Sequence, residues 1–353
     1  MMTLTSSSLE TRLETASVEQ ARCLRAIGKT SLAREISVTP HTYTRYLNEG
    51  FPSDLQETLS RALTVPPEFL SASHPQVLER SNINFLAGRK AQAAHRESAI
   101  ANGNLLTQID SWIRKKYTVP TLDWMGLSNE TPKLAAQLLR QAWGLGTNPA
   151  PNMVQLCESR GISVYGLTNV AKDVDAFSAW AGAQPVIFSS RQKTPERSRF
   201  DIAHELGHLV LHHNSVGGDN PQQEKEADAF ASEFLIAEAA LKAYLPKLPN
   251  LTEIFAFKAT YRVSAMATVV SLHLAGILSD ATYKRRCAAL NQRGYKDGEP
   301  NGLPHFERSR IFDQVFDKHN PKFQSRKDLA KQLGLPHDVI DFGIFATNLA
   351  IFG

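Results

Sequence analysis

The sequence predicts an α+β protein that is mostly helical and contains one small antiparallel sheet. Apolar residues recur at helical spacing over most of the 353 residues. Only the stretch 162–188 contains several short runs rich in β-branched and aromatic residues. Hydrophobic residues make up 42% of the chain, which is typical of a folded protein with a sizeable core. The length indicates two or three domains.

Charge and cysteine usage narrow the class of protein. A formal net charge of +4 is too small to demand a nucleic-acid partner, although a local basic patch is compatible with it. The cysteines Cys23, Cys157 and Cys287 are far apart and lack metal-ligand spacing, which favours a reducing compartment. The N-terminus has no secretion signal, and no apolar run reaches membrane-spanning length. We therefore expect a cytoplasmic protein without a membrane partner.

Residues 1–75 contain a pattern of short helices. Thr39 is placed to cap a helix that begins at Pro40 and ends at Leu47. An earlier break at 28–30 marks the start of the short helix that precedes Pro40. It separates this short helix from another helix earlier in the chain. Two short helices joined by a tight turn indicate a helix-turn-helix module.

This N-terminal stretch resembles the DNA-binding domain of phage-repressor-like regulators of the XRE type. The resemblance implies a groove-facing surface formed by four residues: His41, Thr42, Thr44 and Arg45. A helical module that contacts proteins instead of DNA is the alternative, because a short run with one arginine fits both.

The next part of the chain leads toward a sheet. Residues 76–128 are polar and basic, and we expect connecting helices there with their charges on a solvated face. Amphipathic helices are predicted at Pro132–Trp143 and Met153–Arg160. The small antiparallel sheet follows, in three short runs: 162–165, 176–181 and 185–188. We expect 129–240 to form one catalytic unit.

A His-Glu-x-x-His cluster follows the predicted sheet, inside an apolar helical segment. His204 and His208 are four residues apart, so on a helix both imidazoles lie on one face and can bind one ion. Glu205 lies beside the first histidine and can take a proton from a water that the ion activates. Thr194 and Pro195 predict the start of this helix.

A second helix is expected to supply the third metal ligand, after a turn-rich loop at 214–222. Glu224 and Asp228 are four residues apart on this helix and share a face. We predict Glu224 as the ligand and Asp228 as the acceptor for the outer N–H of a ligand histidine. Glu226 lies on another side and is the weaker candidate. Two core helices with a satisfied histidine pair and a solvated acidic face are the alternative interpretation.

Helices resume after about residue 240 and continue toward the end of the chain. We expect a helical extension at 241–298, with a second turn-like break near Ser264, and a helical tail at 299–353. A Gly/Pro/Asn-rich linker at 294–304 separates them. No chemistry is predicted for the tail.

The segment 199–213, together with 224–236, resembles the ImmA/IrrE family of zinc metallopeptidases. This resemblance implies a gluzincin-like fold and a zinc site formed by His204, His208 and Glu224, with Glu205 as general base. The break near Ser264 also matches what commonly follows the peptidase core in longer members of that family.

The resemblance implies a zinc-dependent endopeptidase that cleaves a repressor or another regulatory protein in stress, mobile-element or phage-defence control. The alternative function is a helix-turn-helix transcriptional regulator or a toxin–antitoxin-like component, in which the zinc site is sensory, structural or latent. The partners expected are a protein substrate and, through the N-terminal module, DNA. The sequence leaves a homodimer open.

Overall fold

A computed structural model describes residues 12–79, 83–87, 92–123, 125–213, 220–295 and 298–345. The described part is mostly helical with small sheets, which confirms the predicted α+β class. Within these ranges, no helix is both long and apolar enough to cross a membrane. Most of the predicted loop between the two metal-site helices, residues 214–219, lies outside the described ranges.

Residues 12–79 fold into five α-helices and a short two-stranded ribbon. The helices are α1 (Thr15–Leu24), α2 (Lys29–Glu35), α3 (Pro40–Glu49), α4 (Gln56–Leu63) and α5 (Pro67–Ser71). Strand β1 (Arg12–Leu13) pairs antiparallel with β2 (Phe51–Pro52). Tyr43 of α3 packs edge-on against Phe51, with ring centroids 5.4 Å apart, and both are buried. The two short helices α2 and α3 lie where the sequence predicted them.

The segment after this region differs from the expected connecting helices. It contains strand β3 (Asn84–Ala87) and one helix of 24 residues, α6 (Ala93–Lys116). Much of α6 is buried, so its polar side chains are not confined to a solvated face. Asn104, for example, is buried and accepts hydrogen bonds from the backbone N–H groups of Val77 and Leu78 at 2.7 and 2.8 Å. The long helix therefore belongs to the core that supports the sheet.

The main sheet is mixed, which corrects the prediction of an antiparallel sheet. It contains β4 (Ser163–Gly166), β5 (Val174–Ala181) and β6 (Gln184–Ser189), and its strand order is β3-β5-β6-β4. The tight turn between β5 and β6 passes through Gly182, which has a φ of +63°. This hairpin occupies one side of β6, so β4 pairs with the other side, in parallel. Strand β3 pairs antiparallel with the outer side of β5.

Helices surround this sheet on both faces. Those that follow α6 are α7 (Pro132–Ala142), α8 (Met153–Ser159), α9 (Pro195–His212), α10 (Pro221–Leu235), α11 (Glu238–Tyr244), α12 (Leu251–Tyr261), α13 (Ala265–Leu274), α14 (Asp280–Gln292), α15 (Arg310–Val315), α16 (Arg326–Leu333) and α17 (His337–Gly343). Helix α9 packs against β5 and β6, and α10 packs against both α9 and α7. This arrangement places the predicted metal helices next to the sheet.

The C-terminal tail packs back onto α9, although the sequence offered no role for it. Glu307 forms a buried ion pair with Arg199 of α9. Ser309 and the backbone N–H of Arg310 both donate to the carboxylate of Glu158 on α8. The tail therefore supports the N-terminal half of the helix that carries the histidines.

Candidate metal centre

Helix α9 begins with the predicted cap and packs very closely against α10. Thr194 Oγ1 accepts a hydrogen bond from the backbone N–H of Arg197 at 3.3 Å, and Pro195 occupies the first turn. A Cβ added at Gly207 would lie only 3.0 Å from Cδ1 of Phe230 on α10. A glycine at this position therefore lets the two helices approach closely enough for α10 to reach the histidines.

The three predicted ligands converge on one point. Ligand atoms of His204, His208 and Glu224 all lie within 4.8 Å of one another. The Nε2 atoms of the two histidines are 3.0 Å apart, and the carboxylate oxygens of Glu224 lie 3.5 and 3.2 Å from them. Both histidines are buried, while the Glu224 side chain is 31% exposed. Two imidazoles and one carboxylate at such distances form a donor set suited to a divalent ion.

Asp228 lies where the sequence placed it, on the outer side of His204. Its Oδ1 is 2.9 Å from Nδ1 of His204, and a carboxylate can only accept here, so Nδ1 carries the proton. The opposite nitrogen, Nε2, therefore offers its lone pair toward His208 in the neutral ring. This hydrogen bond fixes the tautomer in which Nε2 of His204 can bind a metal ion.

A second chain of hydrogen bonds orients His208. Its Nδ1 lies 3.0 Å from Nδ1 of His212, and Nε2 of His212 lies 2.9 Å from a carboxylate oxygen of Glu226. Because Glu226 accepts from Nε2, the neutral His212 ring presents Nδ1 as an acceptor for the N–H of His208. Glu226 is thus a partner of the outer histidine. The sequence analysis considered Glu226 only as the weaker candidate for the third ligand and did not predict its contact with His212.

The charges of the site favour a cation. Burial lowers the pKa of His204, but hydrogen bonds with Asp228 and Glu224 outweigh burial and raise that pKa to about 10. Burial raises the pKa of Glu224, but hydrogen bonds from the two histidines outweigh it and lower that pKa to about 2. The point between the ligands therefore attracts positive charge, which a proton or a metal ion can supply.

Glu205 faces the sheet and has one oxygen with a defined partner. Ser178 on β5 donates to Oε2 of Glu205 at 2.6 Å. Among the described residues, the buried Oε1 of Glu205 has no hydrogen-bond partner. Burial raises the pKa of this carboxyl to about 7. Because an unpartnered buried oxygen is costly, the position suits a water or another donor next to the ion site. The residues present therefore fit a metal ion with an adjacent general base.

Sequence reasoning missed Ser178, which is a small polar residue within an apolar strand. Its side chain faces α9, while the neighbouring Phe177 stacks on Phe188 with ring centroids 4.5 Å apart. Strand alternation could have placed Ser178 on a single face, but it could not have identified Glu205 as its partner.

The predicted DNA-contacting residues lie together on α3, far along the chain from the metal centre. His41, Thr44 and Arg45 are exposed, and Thr42 is half-buried. The backbone N–H of Thr42 donates to the capping Thr39 at 3.1 Å. The structure brings these four residues to one end of a solvent-exposed helix.

One comparison with known proteins gives a match. Residues 157–273, about a third of the chain, match the family model described as the IrrE N-terminal-like domain, Peptidase_M78. The match extends from the end of α8 to the last turn of α13 and includes all three converging side chains. It supports a metallopeptidase-like function for this part of the chain. No curated protein matches the chain.

Proposed function

We propose that the protein is a zinc-dependent endopeptidase. The observation that carries this proposal is the convergence of His204, His208 and Glu224, with Glu205 close enough for the charges of His204 and Glu224 to affect its pKa. Zinc favours such a set of two histidines and one carboxylate, with a fourth position left for water or substrate. The match of 157–273 to a peptidase family supports the same conclusion.

The chain's own residues suggest how the reaction would proceed. A zinc ion held by the three side chains would polarise a peptide carbonyl and acidify a nearby water. Oε1 of Glu205 would accept the proton of the attacking water and later deliver it to the leaving amine. Ser178 would hold Oε2, so that Oε1 keeps its direction. Asp228 and His212 would keep the two histidines in the tautomer that binds metal.

We further propose that the substrate is a repressor or another regulatory protein in the cytoplasm. The N-terminal module would bring the peptidase to a DNA-bound target. This part of the proposal is based on the resemblance of residues 199–236 to ImmA/IrrE peptidases and of the N-terminal stretch to XRE regulators.

The test compares cells that produce the wild type with cells that produce Glu205→Gln. Mass spectrometry of new protein N-termini should show one fragment pair that depends on Glu205, while both purified proteins contain equal zinc. Glu57→Gln, at an exposed glutamate on α4, is the matched control and should cleave like the wild type. Equal fragment patterns from the wild type and Glu205→Gln would contradict peptidase activity.

A transcriptional regulator with a structural or sensory zinc site is the second candidate. The observation in its favour is the five-helix N-terminal region, in which α3 presents Thr44 and Arg45 to solvent. Arg45→Ala should then remove binding to genomic DNA fragments and the cellular phenotype, while Glu205→Gln leaves both intact. The opposite pattern favours the peptidase.

A further inference from the structure

A large cavity lies between α9, α10 and α13, next to the metal centre. Its volume is about 580 Å³, within the range of about 300–1,000 Å³ that is usual for ligand sites. Helix α13 belongs to the helical extension, which is otherwise without a role in the proposed reaction. Most of its exposed wall is apolar, although charged side chains such as Arg197 and Lys225 also line it. The apolar lining includes Phe200, Leu235, Val263, Met266, Val270 and Leu274.

The cavity continues from the face of α9 that carries the metal ligands. Arg197 and Phe200 line it, and they precede His204 by seven and four residues, so all three lie on one face of the helix. The ring of Phe200 lies 6.5 Å from that of His204. Asp228 is shared, because it lines the cavity and also accepts from Nδ1 of His204. A chain bound at the ion would therefore have the cavity within reach.

Most charged groups in the cavity wall have partners within the protein. Two of its carboxylates, Glu196 and Glu299, lie 4.0 and 3.2 Å from the buried ammonium of Lys258, which offsets part of their charge. Arg197 pairs with Asp201 at 2.8 Å. The carboxylate of Asp228 accepts a hydrogen bond from Nδ1 of His204. Leu274 is 67% exposed beside this apolar interior. The burial of a large aliphatic or aromatic side chain would remove this apolar surface from water.

We propose that this cavity binds a large apolar side chain of the polypeptide substrate, within a few residues of the cleaved bond. The proposal rests on the proposed zinc peptidase function and adds to it a preference for certain substrate side chains. The substrate class is thus a protein with a leucine, methionine or aromatic residue near the scissile bond. Helix α13 would act as a specificity element.

The test uses two zinc-chelating peptidyl hydroxamates that differ in one side chain, hydrogen or isobutyl, next to the chelating group. Calorimetry measures their binding to the full-length, zinc-loaded protein. The isobutyl compound should bind at least about tenfold more tightly, since an apolar pocket discriminates by this order even between side chains that differ by one methylene. Ala267→Trp, which fills the cavity from α13, should abolish this preference. It should retain binding of the compound that has hydrogen in place of the isobutyl group.

Controls separate the possible outcomes. Ala259→Trp, at an exposed alanine on α12, should bind both compounds like the wild type. Leu274→Ser changes an exposed side chain and should reduce the preference without a loss of folding. Equal affinity of the wild type for both compounds, or a preference that survives in Ala267→Trp, would overturn the specificity proposal alone. A failure of both compounds to bind would overturn the zinc site itself.

The same variants would also show whether a second copy of the chain occupies the cavity. If Leu274→Ser converts a dimer to a monomer in sedimentation and the wild type binds both compounds equally, the cavity is a contact between copies of the chain. That result rejects the substrate pocket.

Discussion

Helices α3 and α9 begin with the same two residues, threonine and proline, but occupy opposite environments. Thr39 and Thr194 each accept a hydrogen bond from the backbone N–H three residues on, at 3.1 and 3.3 Å. Of the 10 residues of α3 one is buried, whereas 14 of the 18 residues of α9 are buried. The same start signal therefore yields one helix with polar side chains free to meet a partner and one with polar side chains bound to fixed neighbours. Three pairs of substitutions examine this difference, and a fourth prediction concerns the buried Glu158 of α8.

The largest difference is expected for histidine. We predict that His208→Ala on α9 weakens zinc binding by more than about 100-fold, because loss of even an outer hydrogen-bond partner of a ligand costs about 10–100-fold. His41→Ala on α3 should leave zinc binding unchanged. Chelator competition and the metal content of the purified proteins measure both. Zinc binding that survives in His208→Ala would refute the assignment of this ligand.

The two helices should also differ in the role of arginine. The Arg199 side chain is 0% exposed, pairs with Glu307 and donates to the carbonyl of Ala150. We predict that Arg199→Met lowers the free energy of unfolding by about 3–5 kcal/mol, since it removes the partner of the Glu307 carboxylate, which is only 10% exposed. Arg45→Met on exposed α3 should change it by less than about 0.5 kcal/mol. Denaturant unfolding measures both values, and similar costs at the two sites would contradict the comparison.

A pH effect is predicted for Glu158, which is on α8 and binds the C-terminal tail. Burial raises the pKa of its carboxyl to about 7, despite hydrogen bonds from Ser309 and the backbone of Arg310. The folded state therefore holds this proton more tightly than the unfolded state, so the side chain destabilises the fold as pH rises from about 4.5 to about 7. Over that range the wild type should lose about 3 kcal/mol relative to Glu158→Gln. Denaturant unfolding at several pH values measures this difference. A difference in the free energy of unfolding between the wild type and Glu158→Gln that stays constant across this pH range would rule out the raised pKa.

The smallest effects are predicted for the caps, where the two helices are alike. Thr39→Ala and Thr194→Ala should each lower the free energy of unfolding by about 1 kcal/mol, because each removes one acceptor for a helix N–H. Thr→Ser at either site keeps the acceptor and should retain most of the stability. A cost several times larger at Thr194 would show that this cap is coupled to the tertiary contacts of α9.

Local patterns were sufficient for most helices and for the arrangement of the ligands. The spacing of four residues between His204 and His208, and between Glu224 and Asp228, places each pair on one helix face. The structure shows the predicted convergence of both helices and the hydrogen bond between Asp228 and His204. The zinc itself, the peptidase reaction, DNA binding and the domain limits stay predictions.

Other features required the tertiary structure. The parallel pairing of β4 with β6, the hydrogen bond from Ser178 to Glu205 and the ion pair of Arg199 with Glu307 join residues that are distant in the sequence. Arg199 and Glu307, for example, are 108 residues apart. Turn and helix signals depend on a few neighbouring residues, whereas such contacts depend on how all the elements pack together. The sequence by itself determined which side chains could meet on each helix. Packing decided which of them are buried, which carry a shifted pKa, and that the cavity beside the histidines has an apolar wall from α13.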